Sequence, residues 1–85
     1  MSNIRMYSTA VCPYCTRAEY LLQQKGITHI EKIMVDRDVE QMKHMMEITG
    51  RRTVPQIFIN DIHVGGYDDL AQLDMMGKLD ELLQQ

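Results

Sequence analysis

Cys12-Pro13-Tyr14-Cys15 joins the strand-like run Ile4-Arg5-Met6-Tyr7-Ser8 to a segment whose apolar residues Ala18, Leu21 and Leu22 share one helical face. Proline suits the first helical position, where its missing N–H is no loss and its φ already fits a helix. Cys12 therefore falls at the N-cap, facing unpaired backbone N–H groups and the positive end of the helix dipole. A thiolate is stabilised there, so the Cys12 pKa is expected well below the free value of about 8.5. Cys15 lies one turn later on the same face, deeper in the helix, and is expected to be less exposed with a higher pKa. A fall from about 8.5 to about 5 raises the thiolate fraction at pH 7 from roughly 3% to nearly all. The same fall costs about 50-fold in intrinsic nucleophilicity. The larger benefit is to Cys12 as a leaving group, expelled from a mixed disulfide by a second thiol.

These are the only two cysteines among 85 residues. A bridge between them closes a tiny loop and removes little unfolded-state entropy, so the pair is not a structural staple. No second CxxC exists, and His29, His44 and His63 show no ligand spacing, so no metal site is expected. The chain carries 9 Lys+Arg against 12 Asp+Glu, a formal charge of −3, which argues against a non-specific nucleic-acid binder. Hydrophobic residues at 45% and charged residues at 25% are ordinary globular usage, enough for one small domain over residues 1–85. Trp is absent and Phe occurs once, so the eight Met must fill part of the core. The start Met1-Ser2-Asn3-Ile4-Arg5 lacks a signal-peptide apolar core, and no stretch reaches transmembrane length. The expectation is a soluble cytoplasmic protein whose cysteines do chemistry.

Ile4–Ser8 reads as a strand, residues 13 to about 25 as a helix stopped by Gly26, and Ile27–Val35 as a second strand ending in Ile33-Met34-Val35. Strand, helix and strand make a parallel, right-handed unit. Asp38 caps a second helix with Val39, Met42, Met45 and Met46 inward and Gly50 as its stop. Residues 56–59 and 62–64 flank Asn60-Asp61 and read as a hairpin. A last helical region opens at Tyr67 or Asp68, turns Leu70 and Leu73 inward, is interrupted by Gly77, and closes with Leu79, Leu82 and Leu83. The order β-α-β-α-β-β-α predicts an α/β fold, a four-stranded mixed sheet flanked by helices. His63 reads as a hairpin surface residue, and Glu31, Lys32, Asp36, Arg37 and Asp38 as a solvated face and turn.

Two further segments carry chemistry. In Thr53-Val54-Pro55 the proline either simply starts a strand in trans, or forms a cis bond that turns the N–H and C=O of Val54 outward toward an extended ligand. Gly65-Gly66-Tyr67-Asp68-Asp69 is either a plain glycine turn with an Asp cap, or a place where helix-start N–H groups bind a carboxylate beside an Asp68 acceptor. The second pairing would suit an α-amino acid end.

Taken together, Cys12-Pro13-Tyr14-Cys15, Thr53-Val54-Pro55 and Gly65-Gly66-Tyr67-Asp68-Asp69 resemble the glutaredoxins, most closely the small bacterial dithiol class, over nearly the whole chain. The resemblance implies a thioredoxin fold, glutathione as the reducing co-substrate and no permanently bound cofactor. It makes Cys12 the nucleophile, Cys15 the resolving thiol and Pro55 a cis-proline beside them. Val54 would pair with the cysteinyl part of glutathione, and Thr53 belongs to the same segment. Gly66, the Tyr67 N–H and Asp68 would hold the γ-glutamyl end, Tyr14 would line the groove, and Arg51 is the candidate for the glycyl carboxylate. The chain departs from relatives that carry a lysine a few residues before the first cysteine. Ser8-Thr9-Ala10-Val11 stands there instead, with Arg17 and Arg52 as candidate replacements.

The function expected is a glutathione-dependent thiol–disulfide oxidoreductase. It would reduce protein–glutathione mixed disulfides through Cys12 alone and protein disulfides through Cys12 with Cys15. Its expected partners are glutathione and glutathionylated or disulfide-containing proteins, ribonucleotide reductase among them, with no nucleic acid or membrane, and the chain a monomer. A flavoenzyme-reduced thioredoxin is disfavoured by the absent Trp and by Pro-Tyr between the cysteines. A two-chain [2Fe–2S] carrier using Cys12 is disfavoured by the stiffening Pro13.

Overall fold

The computed structural model describes residues 3–84. β1 (Ile4–Ser8), β2 (Glu31–Met34), β3 (Gln56–Ile59) and β4 (Ile62–Gly65) form one sheet in the order β2-β1-β3-β4. β1 runs parallel to β2 and antiparallel to β3, and β3 pairs antiparallel with β4. Strand alternation splits the core into two layers. Ile4, Met6, Ile57 and Ile59 bury one sheet face with Cys15, Ala18 and Leu22 of α1 (Pro13–Gln24) and Leu70 of α3 (Tyr67–Met75). Leu79 of α4 (Lys78–Leu83) completes that layer. Tyr7 and Phe58 face the other way, against Val35 and Met45, with Met42 and Met46 packed alongside on α2 (Val39–Thr49). The methionine stripe is core, as its spacing predicts, but Val39, expected on the same inward face, is 73% exposed at the first turn of α2, where the helix has not yet reached the sheet.

The helix ends follow local chemistry. Asp38 accepts from the Glu40 and Gln41 amides at 3.0 and 3.4 Å, and Gly50 closes α2 in the left-handed region at φ 70°. Asn60 and Asp61, at φ 51° and 67°, make the tight turn between β3 and β4.

The second strand is shorter than its β-branched residues predict. Residues 27–30 lie outside the ladder because the Ile27 amide returns to the Leu22 carbonyl at 3.1 Å. Ile27 and Ile30 instead pack under α1. The final helical region is two helices, parted at Gly77. Lys25, just past α1, clasps both through Asp74 at 2.6 Å and Asp80 at 3.2 Å. Those two hydrogen-bonded carboxylates hold the Lys25 pKa above its ordinary value. Among the described residues no helix is long and apolar enough to cross a membrane.

Candidate active site

Proline at N1 starts α1, and Cys12 is its N-cap, in extended backbone at φ −151° and ψ 98°. Its Sγ accepts from the Cys15 amide at 3.2 Å, the contact expected of an N-cap. The two cysteines form a disulfide, with Cα atoms 5.2 Å apart. They are unequal: Cys15 is 5% exposed and belongs to the core, whereas Cys12 is only partly buried. The outer sulfur faces the Thr53-Val54-Pro55 segment, with Cys12 Sγ 3.9 Å from the Val54 carbonyl oxygen. The Val54–Pro55 bond is cis.

Beside this contact opens a cleft of about 350 Å³. Tyr14 comes from α1, Arg51, Thr53, Val54 and Pro55 from the α2–β3 loop, and Gly66, Tyr67 and Asp68 from the start of α3. All eight residues singled out around the cysteines in the sequence thus lie around one opening. Tyr14 and Tyr67 form its aromatic side, with ring centroids 6.2 Å apart. Of the two candidate replacements for the absent lysine, Arg17 lies over the Tyr14 ring at 5.3 Å, whereas Arg52 is exposed and outside the cleft lining. The Ser8–Val11 loop is tied elsewhere, its Ala10 amide donating to Asp36 Oδ2 at 3.0 Å.

Asp69, which closes the Gly65–Asp69 motif but carries no assigned role in the sequence reading, organises one wall. Its Oδ2 accepts from the Gly66 amide and from Arg51 Nη1, both at 2.9 Å. The Arg51 guanidinium first, and the Gly66 N–H second, hold the Asp69 carboxyl below its ordinary pKa. Arg51 is therefore paired within the chain. The spacing Gly66-x-x-Asp69 is that of an acidic N3 residue reaching back to an N-cap amide, a signal that could have found it. At Gly65, φ is +116° and an added Cβ would run into the Asp69 carboxylate, so glycine is required on both counts.

His63 departs from the expected surface role. Its ring is partly buried, stacks on Phe58 at 5.0 Å, and lies 2.8 Å from Oε1 of the fully buried Gln56. Desolvation, then the nearby Arg51 charge, lowers its pKa.

A mixed four-stranded sheet carrying a CxxC disulfide at the first helix, opposite a cis-proline, defines a thiol–disulfide oxidoreductase of the thioredoxin fold. Within that class the chain belongs to the glutaredoxin family, whose model, described as Glutaredoxin, matches residues 4–64. A glutaredoxin of Neisseria meningitidis serogroup A is 47% identical over 83 residues, spanning 98% of each chain. Glutaredoxin 3 of Escherichia coli K12 is 44% identical over 84 residues, covering 99% of this chain and 100% of its own. A crystal structure of a buckwheat glutaredoxin–glutathione complex superposes with a TM-score of 0.87 at 30% identity, covering 98% of this chain and 77% of that one. The protein is a glutathione-dependent thiol–disulfide oxidoreductase, with glutathione as co-substrate and glutathionylated proteins as substrates.

Proposed function

We propose that Cys12 is the attacking thiolate and Cys15 the resolving thiol of a single catalytic domain spanning residues 1–85. Cys12 attacks the glutathionyl sulfur of a mixed disulfide, forms the Cys12–glutathione bond, and releases the substrate thiolate, which takes a proton from solvent. A second glutathione thiolate attacks that glutathionyl sulfur, expels Cys12 as thiolate and leaves as oxidised glutathione. With a protein disulfide, Cys12 attacks one sulfur, breaking the substrate S–S bond and freeing its other thiolate. Cys15 then attacks Cys12 Sγ, breaking the mixed disulfide and freeing the second substrate thiolate, each thiolate taking a proton from solvent. This gives the Cys12–Cys15 disulfide that glutathione reduces. The observation that carries the assignment is the asymmetry of the pair: Cys12 caps the helix and lies against the Val54 carbonyl at the edge of the cleft, while Cys15 is buried.

Glutathione lies in the cleft, as the relative in complex with glutathione supports. Its cysteinyl backbone pairs with Val54 beside Thr53 and Pro55, and Tyr14 packs against it. Because Asp69 already occupies the Gly66 amide, the next helix-start N–H, that of Tyr67, takes the γ-glutamyl carboxylate while Asp68 accepts from its ammonium. Arg51 meets the glycyl carboxylate without leaving Asp69. The working chain is a cytoplasmic monomer, and ribonucleotide reductase is among its acceptors.

Cys12→Ser should abolish both activities. Cys15→Ser should keep glutathione-coupled reduction of a glutathionylated peptide and lose most reduction of protein disulfides. Equal loss of both activities in Cys15→Ser would remove the division of roles. Alkylation of the reduced protein across pH should inflect well below about 8.5, and an inflection at that value would remove the activated thiolate.

A further inference from the structure

The loop carrying Thr53 and Val54 is held from beneath by two side chains outside all three motifs. Gln56 is fully buried, and its Nε2 lies 3.1 Å from the Thr53 carbonyl oxygen and 3.4 Å from Thr53 Oγ1. A carbonyl oxygen only accepts, so the amide nitrogen of Gln56 faces Thr53 and its Oε1 faces away. Oε1 meets His63 Nε2 at 2.8 Å, and that ring nitrogen must then carry the proton. The chain of donors runs from His63 on β4, through Gln56 on β3, to the main chain of Thr53. His63 is kept in place by its register opposite Phe58 and its stack on that ring.

We propose that His63 is a positioning residue for glutathione, acting through Gln56 to fix the Thr53-Val54 segment. This rests on the reading that glutathione pairs with that segment. His63 touches neither the sulfur atoms nor the cleft. Losing its N–H leaves buried Oε1 of Gln56 without its donor, and the amide turns or loosens until Thr53 is no longer held. The Val54 backbone then presents a spread of positions to the ligand. The cysteines, anchored by α1, keep their geometry. The effect should fall on the KM for glutathione and leave turnover at saturating glutathione alone.

Two substitutions separate this brace from simple packing. His63→Phe keeps a ring to stack on Phe58 and removes the donor, whereas His63→Gln keeps an N–H donor and removes the ring. The assay is glutathione-coupled reduction of a glutathionylated peptide, with Cys12 alkylation by iodoacetamide as a readout of thiol reactivity alone. His63→Phe should raise the glutathione KM about two- to tenfold, the effect of one lost hydrogen bond. Its turnover and alkylation rate should remain within about twofold of the parent, as should every parameter of His63→Gln. A normal KM in His63→Phe, or a KM raised in His63→Gln but not in His63→Phe, overturns the brace. So does a matching fall in turnover and alkylation. Asp68→Ala, assayed alongside, separates this from the cleft itself. If it raises KM while His63→Phe does not, the brace fails and the cleft stands. If neither variant raises KM, both fail.

Discussion

Asp69 does two jobs with one oxygen, and this makes it the most consequential single residue that does no chemistry. Holding Gly66 N–H fixes the start of α3, and holding Arg51 Nη1 ties the α2–β3 loop to that start, closing the cleft wall. Its carboxyl pKa is lowered, so the folded chain binds fewer protons there than the unfolded one. The stabilisation is present above the ordinary carboxylate value near 3.8 and is lost as pH falls through the lower folded value. Both side chains are about half exposed, 47% for Arg51 and 44% for Asp69, which keeps the energy small. Asp69→Asn should leave stability near pH 7 little changed and flatten its acid dependence in urea titrations run from about pH 5 down to about pH 2. An unchanged acid slope would mean that other carboxylates set it. The cysteines, Val54 and Asp68 were legible because their chemistry lies in short motifs. The Asp69–Arg51 and His63–Gln56 contacts were not, since each pairs residues from separate segments and which residue meets which appears only when the chain folds back on itself.

The elements were read where a residue enforces its own end. Asp38, Gly50, Asn60-Asp61 and Gly77 each act on the backbone beside them, and each boundary fell where expected. β2 is shorter than the sequence predicts: Ile27 and Ile30 have strand-forming side chains, while ladder pairing depends on a neighbour the sequence does not display. The split of the last helix shows the same limit in reverse. Gly77 marks the break, but Lys25, far back in the chain, supplies the charge that clasps α3 to α4. α2 gives the cleanest test of a local signal, because the Asp38 side chain satisfies two orphan amides on an exposed surface. Asp38→Ala should cost about 1 kcal/mol in urea unfolding, whereas Asp38→Ser should recover most of it. Since α2 lies across the sheet from α1 and α3, glutathione-coupled turnover should not change in either variant. A cost below a few tenths of a kcal/mol would show that packing of Met42, Met45 and Met46, with no help from the cap, sets where α2 begins.

Across the whole molecule, the sheet separates two cores with different relations to catalysis. One joins α1, which presents Cys12, to α3, which presents Gly66, Tyr67 and Asp68, and Leu70 lies fully buried between them. The other, around Tyr7, Phe58 and Met45, seats α2. Val54 packs against both layers, so the cleft sits where they meet. A chain of 85 residues has a total stability of only about 4–13 kcal/mol, and removing a buried Leu or Met side chain costs about 2–5. Leu70→Ala and Met45→Ala should therefore lower the urea midpoint by similar amounts. Their kinetics should differ at a temperature where both remain folded. Leu70→Ala lets the start of α3 shift against Val54 and should raise the glutathione KM severalfold, while Met45→Ala should leave it within about twofold. An equal rise in both would show that Val54 transmits packing from either face, and that the cleft is shaped by the sheet as a unit, not by α3.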